Sequence, residues 1–181
     1  MILIALAGLC LVSVPLTGGH LTRIAGVRLR GTGIPILALA LQVVIITIAP
    51  NGHRTLHVAI HLATYALLVV FLGANRRLEG VPLIAAGTLI NVAAMVANGG
   101  VMPASAAAQR IAGLSVGSGF ANSAAMAHPA LAWLGDVIPV PGPLPNVMSV
   151  GDLLIFAGLL VLLHRTCGRS APRGIVLRPI E

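Results

Sequence analysis

The residues best suited to metal or redox chemistry are three histidines spaced four apart, His53, His57 and His61. In a helix, His57 and His61 share a face, and two histidines at that spacing can bind one metal ion. A haem iron usually needs a further histidine from another helix. Because no cysteine or carboxylate lies nearby in sequence, we expect a neutral His61 that shares hydrogen bonds with the fourth apolar segment, and no cofactor. A metal ion or haem at His57 and His61 is the alternative.

A second polar group lies in and around the stretch between residues 98 and 152. We take it as the candidate ligand-binding set, and its members are Asn91, Asn98, Asn122, His128, Asp136, Asn146 and Asp152. Asp152 has a simpler explanation, because Ser149-Val150-Gly151-Asp152 has the spacing of a helix capping box. A Ser-His-Asp set can be drawn from Ser149, His128 and Asp136, but no nucleophile-elbow motif surrounds the serine. We therefore expect no catalytic residue.

Two side-chain amides lie near the middle of apolar segments. Gln42 is in the second segment, and Asn91 is in the fourth, on one helical stripe with Thr88 and Asn98. Amides in such positions usually hydrogen-bond between helices and fix their packing, at about 0.6 kcal/mol per bond. The alternative interpretation is a polar lane for a substrate, with Asn91 at its floor.

The composition indicates which elements must position these residues. Of the 181 residues, 57% are hydrophobic and 8% are charged, and the mean hydropathy is +1.01. A soluble domain carries about 25% charged residues. This pattern predicts an all-α integral membrane protein. The formal charge of +7 would suggest nucleic acid in a soluble protein, but the few aromatic residues cannot form base-stacking platforms. We expect the lipid bilayer as partner, and no nucleic acid.

Five apolar segments predict a bundle of about five transmembrane helices in a single domain, residues 1–167. The predicted spans are residues 2–17, 34–49, 55–72, 81–97 and 150–167, followed by a basic cytoplasmic tail, 168–181. Nine of the eleven arginines lie in the loops after spans one and three, at the end of span five (Arg165) and in the tail. Under the positive-inside rule that side is cytoplasmic. We expect a bacterial cytoplasmic membrane, with the N-terminus outside and the C-terminus inside.

This topology makes residues 98–149 a long extracytoplasmic segment. Ala104 to Leu114 is alanine-rich and predicts a helix, while Phe120–Met126 and His128–Leu134 resemble short helical or interfacial pieces. The apolar run of the last span ends at His164, which gives roughly 22 Å of helix for a core of about 30 Å. Either that helix continues past Arg165, or the proline-rich stretch 139–145 is re-entrant. A re-entrant stretch would form a cavity in which the candidate set converges.

The two cysteines, Cys10 and Cys167, differ in predicted membrane depth by about half a bilayer, roughly 15 Å. A disulfide cannot reach across that distance. We therefore expect both thiols to be free.

Several short motifs occur together along nearly the whole chain. They are Gly18-Gly19 before an arginine-containing loop, Gln42, Asn98-Gly99-Gly100-x-Met102-Pro103, Leu134-Gly135-Asp136, and Asn146-Val147-x-Ser149-x-Gly151-Asp152. Together they resemble a family of small bacterial integral membrane proteins of unknown function. The resemblance implies a recurrent architecture and no activity, cofactor or catalytic residue. Met148 stands where many such sequences have Phe.

Three function classes follow from these observations. The first, which we expect, is a non-catalytic membrane module such as a partner subunit, a scaffold or a sensor component, with a membrane protein as its partner. The second is a binder or transporter of a small or lipid-like molecule in a cavity under the outer loop. The third is an enzyme or redox protein with a metal ion or haem at His57 and His61.

Overall fold

The computed structural model describes residues 2–48, 54–115, 123–126 and 128–168. Most of these residues are helical. The helices are α1 Ile2–Leu16, α2 Gly33–Ile48, α3 Arg54–Ala74, α4 Val81–Ala97, α5 Ala106–Ala112 and α6 Val150–Cys167. Apart from α5, each begins and ends within about two residues of a predicted span. Two 3₁₀ turns, Leu21–Gly26 and Ala132–Leu134, lie in the connections.

Two helices are long and apolar enough to cross a membrane, by length and composition. They are residues Thr55–Ala74 of α3 and Val150–Cys167 of α6. Three further apolar stretches are shorter: Ile2–Leu16, Gly33–Val44 and Val81–Ala97. The structure therefore supports two candidate spans where the sequence predicts five.

The most extensive helix contact joins α4 and α6, which run antiparallel. Glycines let their backbones meet: Gly87 faces Gly151, and Gly80, just before α4, faces Gly158. A Cβ on Gly158 would stand 2.7 Å from the carbonyl oxygen of Gly80 and 2.7 Å from the amide nitrogen of Ile84. Side-chain-free surfaces of this kind allow close helix packing.

The remaining long helices extend from this pair on either side. Helix α3 packs on α4 and α2 packs on α3, while α1 packs on α6. Buried side chains of α1 and α6, which are Cys10, Val14, Leu163 and Cys167, form one apolar cluster. A second cluster joins α4 to the segment that follows it and contains Ala94, Met95, Met102 and Leu134.

The 98–149 segment contains short strands, so the chain is not all-α. Strand β1 (Met102–Ala104) pairs in parallel with β2 (Ser123–Ala125), and β3 (Ile138–Val140) pairs antiparallel with β4 (Asn146–Met148). The helical prediction for Phe120–Met126 is wrong at residues 123–125, because their backbone bonds to β1. Residues 120–122 lie outside the described part of the chain.

Helix α5 is shorter than the sequence predicts. Residues up to 104 belong to β1, and Ser105 is the N-cap, whose hydroxyl oxygen accepts a bond from the Ala108 amide at 3.3 Å. Gly113 ends the helix in a left-handed conformation at φ 78°. A glycine adopts that conformation without a Cβ clash.

Helix α6 has 18 residues and continues through Arg165 to Cys167. Its length is therefore about 27 Å. The last span is therefore longer than its apolar run because the helix continues past Arg165, which is the first of the two explanations given above. The stretch 139–145 forms most of β3 and the exposed turn of the β3–β4 hairpin. The length of α6 therefore gives no support for a re-entrant loop at residues 139–145.

Candidate functional site

Three of the polar side chains named above meet where α4 packs on the start of α6. The Asn91 amide donates to Asp152 Oδ1 at 2.9 Å, and the Ser149 hydroxyl donates to Asn91 Oδ1 at 2.8 Å. Ser149 and Asp152 also form the predicted capping box, with both reciprocal bonds at 3.0 Å. Ser149 is fully buried and Asn91 is 8% exposed. The sequence prediction of a capping box is confirmed, and α4 completes it.

Close packing fixes this triad. A Cβ on Gly151 would collide with Asn91 Oδ1, and one on Gly87 would collide with the Gly151 carbonyl oxygen. The amide of Asn91 thus reaches the N-terminus of α6 only because glycine stands opposite it. A polar group in this position satisfies the helix end and sets how far α6 lies along α4.

The side chain of Asn98, directly after α4, bonds to the backbone of a distant part of the chain. Its amide nitrogen donates to the carbonyl oxygens of Ala94 at 2.7 Å and Ala130 at 2.8 Å, and its Oδ1 accepts from the Ala130 amide at 2.9 Å. Both amide hydrogens are therefore used. Asn98 ties the turn after His128 to the end of α4.

The other motif residues of the 98–149 segment pack against one another. Gly100, at φ 85°, turns against Val58 of α3, and Gly135 passes against the Pro103 carbonyl oxygen. The Asp136 amide donates to that oxygen at 2.8 Å, and the Asp136 carbonyl accepts from the Ser105 amide at 3.0 Å. These bonds place Asp136 beside β1 by its backbone. Its carboxylate is half-buried.

His61 bonds to α2, whereas the sequence predicts a bond to α4. Gln42 Nε2 lies 2.9 Å from His61 Nδ1. An amide nitrogen only donates, so Nδ1 accepts and the ring proton is on Nε2. The Nε2 atom of His61 is buried and has no hydrogen-bond partner among the described residues. The predicted inter-helix use of both amides, the half-buried Gln42 and the buried Asn91, is confirmed.

Tyr65, the one tyrosine, is a site residue that the sequence interpretation misses. Its ring meets His61 edge-on at 5.0 Å between centroids and packs on the cluster that contains Met95 and Leu134. Tyr65 thus connects His61 to the apolar cluster between α4 and the 98–149 segment. Its position one turn after His61 is the sequence signal that was available.

The remaining candidates are not brought to this point. His128 is exposed, Asn146 is half-buried in β4, and Asn122 lies outside the described residues. His57 lies one turn before His61 and is half-buried. His53 also lies outside the described part. Within that part, no group of three or more His, Cys, Asp or Glu side chains is placed to hold a metal ion. A metal ion or haem at His57 and His61 stays the alternative to the prediction of no cofactor.

The opposite end of the bundle has its own polar bonds. Ser13 gives its one hydroxyl hydrogen to the Cys10 carbonyl at 2.7 Å, so His164 Nε2, 2.9 Å away, is the donor to Ser13. Cys10 and Cys167 are free, as predicted. Both belong to one apolar cluster of α1 and α6, and their predicted difference in membrane depth stays a prediction.

The matched family is a family of unknown function, DUF5317, whose model covers residues 26–164. The chain belongs to this family. The match includes the candidate set, Tyr65 and the contact surface between α4 and α6, which we call the seam. It begins after α1 and the Gly18-Gly19 motif. No curated protein and no solved structure matches the chain. Membership of a family of unknown function is what the sequence motifs predict. A bacterial membrane origin stays a prediction.

Proposed function

We propose that this protein is a five-span membrane module without catalytic activity, which acts as a partner subunit, scaffold or sensor component. The observation that carries the proposal is that the polar motif residues satisfy one another. Asn91, Ser149 and Asp152 hydrogen-bond to one another. Asn98 donates both of its amide hydrogens to backbone carbonyl oxygens. Side chains used in this way hold a shape, since a reacting group must be able to bond to a substrate.

The proposed topology puts the N-terminus and the 98–149 segment outside and the arginine-rich loops inside. Arg23, Arg28, Arg30, Arg76 and Arg77 all lie in the loops after α1 and α3. Helices α1, α2 and α4 fall short of a typical span of about 20 residues. An apolar helix of that length can still cross where the bilayer thins around it.

Cysteine labelling tests this topology. Cells that carry Leu144→Cys or Arg77→Cys are treated with a membrane-impermeant maleimide before and after permeabilisation. The native cysteines are buried and serve as the unreactive background. We expect Leu144→Cys to label in intact cells and Arg77→Cys only after permeabilisation. The reverse pattern would overturn the proposed orientation, and extraction of the protein by alkaline carbonate would overturn the membrane proposal.

The scaffold role is tested by purification in mild detergent. We expect a stoichiometric membrane-protein partner in the native mass, together with a colourless and metal-free sample. A protein that runs alone contradicts a scaffold. A haem absorption band lost in His61→Ala would instead establish the redox function.

A second candidate, binding of a small or lipid-like molecule, is favoured by the buried His61 Nε2. Its hydrogen points to no acceptor among the described residues. A ligand oxygen beside Tyr65 would satisfy it. The test is thermal stabilisation by a metabolite and lipid library in wild type and in His61→Phe, with Asp136→Ala as a second variant. A ligand that stabilises only the wild type establishes this function.

A further inference from the structure

The arginine-rich end of the bundle is built around a buried asparagine that the sequence interpretation does not single out. Asn75 directly follows α3 and is 5% exposed. Its Oδ1 accepts from the Arg30 amide at 2.8 Å, and its Nδ2 donates to the carbonyl oxygens of Arg30 at 2.9 Å and Phe71 at 2.8 Å. The loop after α1 is thereby held beside Arg76 and Arg77, which come next in the chain.

Further bonds attach the same loop to the end of α6. The His20 amide donates to the Cys167 carbonyl at 2.8 Å, and the Arg23 guanidinium donates to the Gly168 carbonyl. Three chain segments therefore meet at one end of the molecule. The pair of bonds between Asn75 and Arg30, which we call a clamp, uses only the backbone of Arg30. The Arg30 side chain is therefore left exposed.

Positive charge at this end exceeds negative charge. Six described arginines lie here: Arg23, Arg28, Arg30, Arg76, Arg77 and Arg165. Of the three described carboxylates, Glu79 alone is at this end, and it pairs with Arg165 at 3.0 Å. Arg28, Arg30 and Arg77 are exposed and form no ion pair with the described residues. Like charges on neighbouring segments repel one another, and an anion bound between them reduces that repulsion.

The apolar surroundings distinguish between sources of such an anion. Leu21, Ile24 and Leu29 alternate with these arginines and are 38%, 41% and 42% exposed. A soluble phosphate would leave these side chains in water. A phospholipid covers them with its acyl chains while its phosphodiester bonds to the guanidinium groups.

We propose that Arg30 and Arg77, held together by Asn75, bind the phosphodiester of an anionic phospholipid. The inference rests on the membrane location proposed above. It predicts selectivity for phosphatidylglycerol over phosphatidylcholine, because the zwitterionic choline headgroup brings its own positive charge into the arginine cluster.

The test is thermal unfolding in phosphatidylcholine-containing micelles with increasing phosphatidylglycerol. We expect Tm to rise to saturation. Arg30→Gln and Arg77→Gln are each expected to raise the half-saturating amount about fivefold, as one arginine near an anionic surface contributes. Asn75→Ala keeps every arginine and is expected to raise it about as much. Arg110→Gln, which removes one charge from the opposite end, is the matched control and should leave it unchanged.

Several outcomes would overturn the inference. They are no rise in Tm with phosphatidylglycerol, an equal effect of Arg110→Gln, wild-type binding by Asn75→Ala, or an equal rise with soluble glycerol phosphate. The last would indicate a soluble anion. Carbonate extraction of the same variants separates this test from the membrane proposal. Protein that stays in the membrane but shows no selectivity refutes the lipid site alone.

Discussion

At the scale of single residues, side-chain amides that are buried (Asn75 and Asn91) or half-buried (Gln42 and Asn98) connect the structure. Gln42 and Asn91 join helices through side chains, whereas Asn75 and Asn98 bond to the backbone of a distant loop residue. An amide is suited to this because it donates and accepts in one plane without charge. The cost of removing one depends on what it leaves unpaired.

Asn91→Leu is predicted to destabilise the protein by about 2 to 6 kcal/mol. The substitution leaves the buried Ser149 hydroxyl and Asp152 Oδ1 without their partner, at about 1 to 3 kcal/mol for each unsatisfied group. Thr88→Val is the matched control, because the Thr88 hydroxyl bonds only to the Ile84 carbonyl of its own helix. It should cost less than about 1 kcal/mol. Equal losses of unfolding free energy in mild detergent would show that the triad contributes nothing specific.

At the scale of elements, α4 and α6 form the centre of the bundle, and the other long helices are added on either side. Two glycine pairs separated by two helical turns bring these helices into backbone contact. The triad of Asn91, Ser149 and Asp152 adds a polar contact at one end of the seam. The seam thus combines close packing with a fixed register.

Gly158→Ala is predicted to destabilise the protein by about 1 to 3 kcal/mol, because the added Cβ must push the Gly80 and Ile84 backbone away. The control is Gly73→Ala in α3, where a Cβ meets nothing within 4 Å. It should be neutral or stabilising by up to about 1 kcal/mol through helix propensity. Thermal unfolding of both variants measures the difference. A Gly158→Ala variant as stable as the wild type would mean that α4 and α6 can move apart without loss of stability.

At the scale of the whole molecule, the two ends differ in kind. One end has the arginine-rich loops, and the other has the 98–149 segment with its strands and hairpin. Trp133 reports on the second end, since it is the one tryptophan and is 68% exposed there. Cys10 and Cys167 report on α1 and α6.

In the wild type, Trp133 fluorescence and cysteine labelling should change at one temperature, as expected for a cooperative unit. Asn98→Ala removes three bonds, two of them to Ala130, so we predict that the Trp133 transition moves below the labelling transition. Arg110→Gln, exposed on α5, is the control and should keep the two together. Coincident transitions in Asn98→Ala would show that other contacts hold the segment.

The sequence predicts the helices well because long apolar runs end at Gly, Pro and Asn. It predicts the capping box because Ser149 and Asp152 are three residues apart. It does not predict the strands, because each has only three residues and pairs across a distance that no local pattern encodes. Asn75 and Tyr65 are missed for a similar reason. The role of Asn75 depends on which loop the fold brings beside it, and the role of Tyr65 depends on the apolar cluster that packs against its ring.

The two backbone clamps have a mechanical consequence. Asn75 follows α3 at the arginine-rich end and Asn98 follows α4 at the other, and each grips its loop by the same pair of bonds. A movement of α3 along its axis would therefore displace the loop after α1, and a movement of α4 would displace the turn at Ala130. Because α3 packs on α4, a displacement of the arginine-rich end that moves both helices together would be transmitted to the 98–149 segment through Asn98.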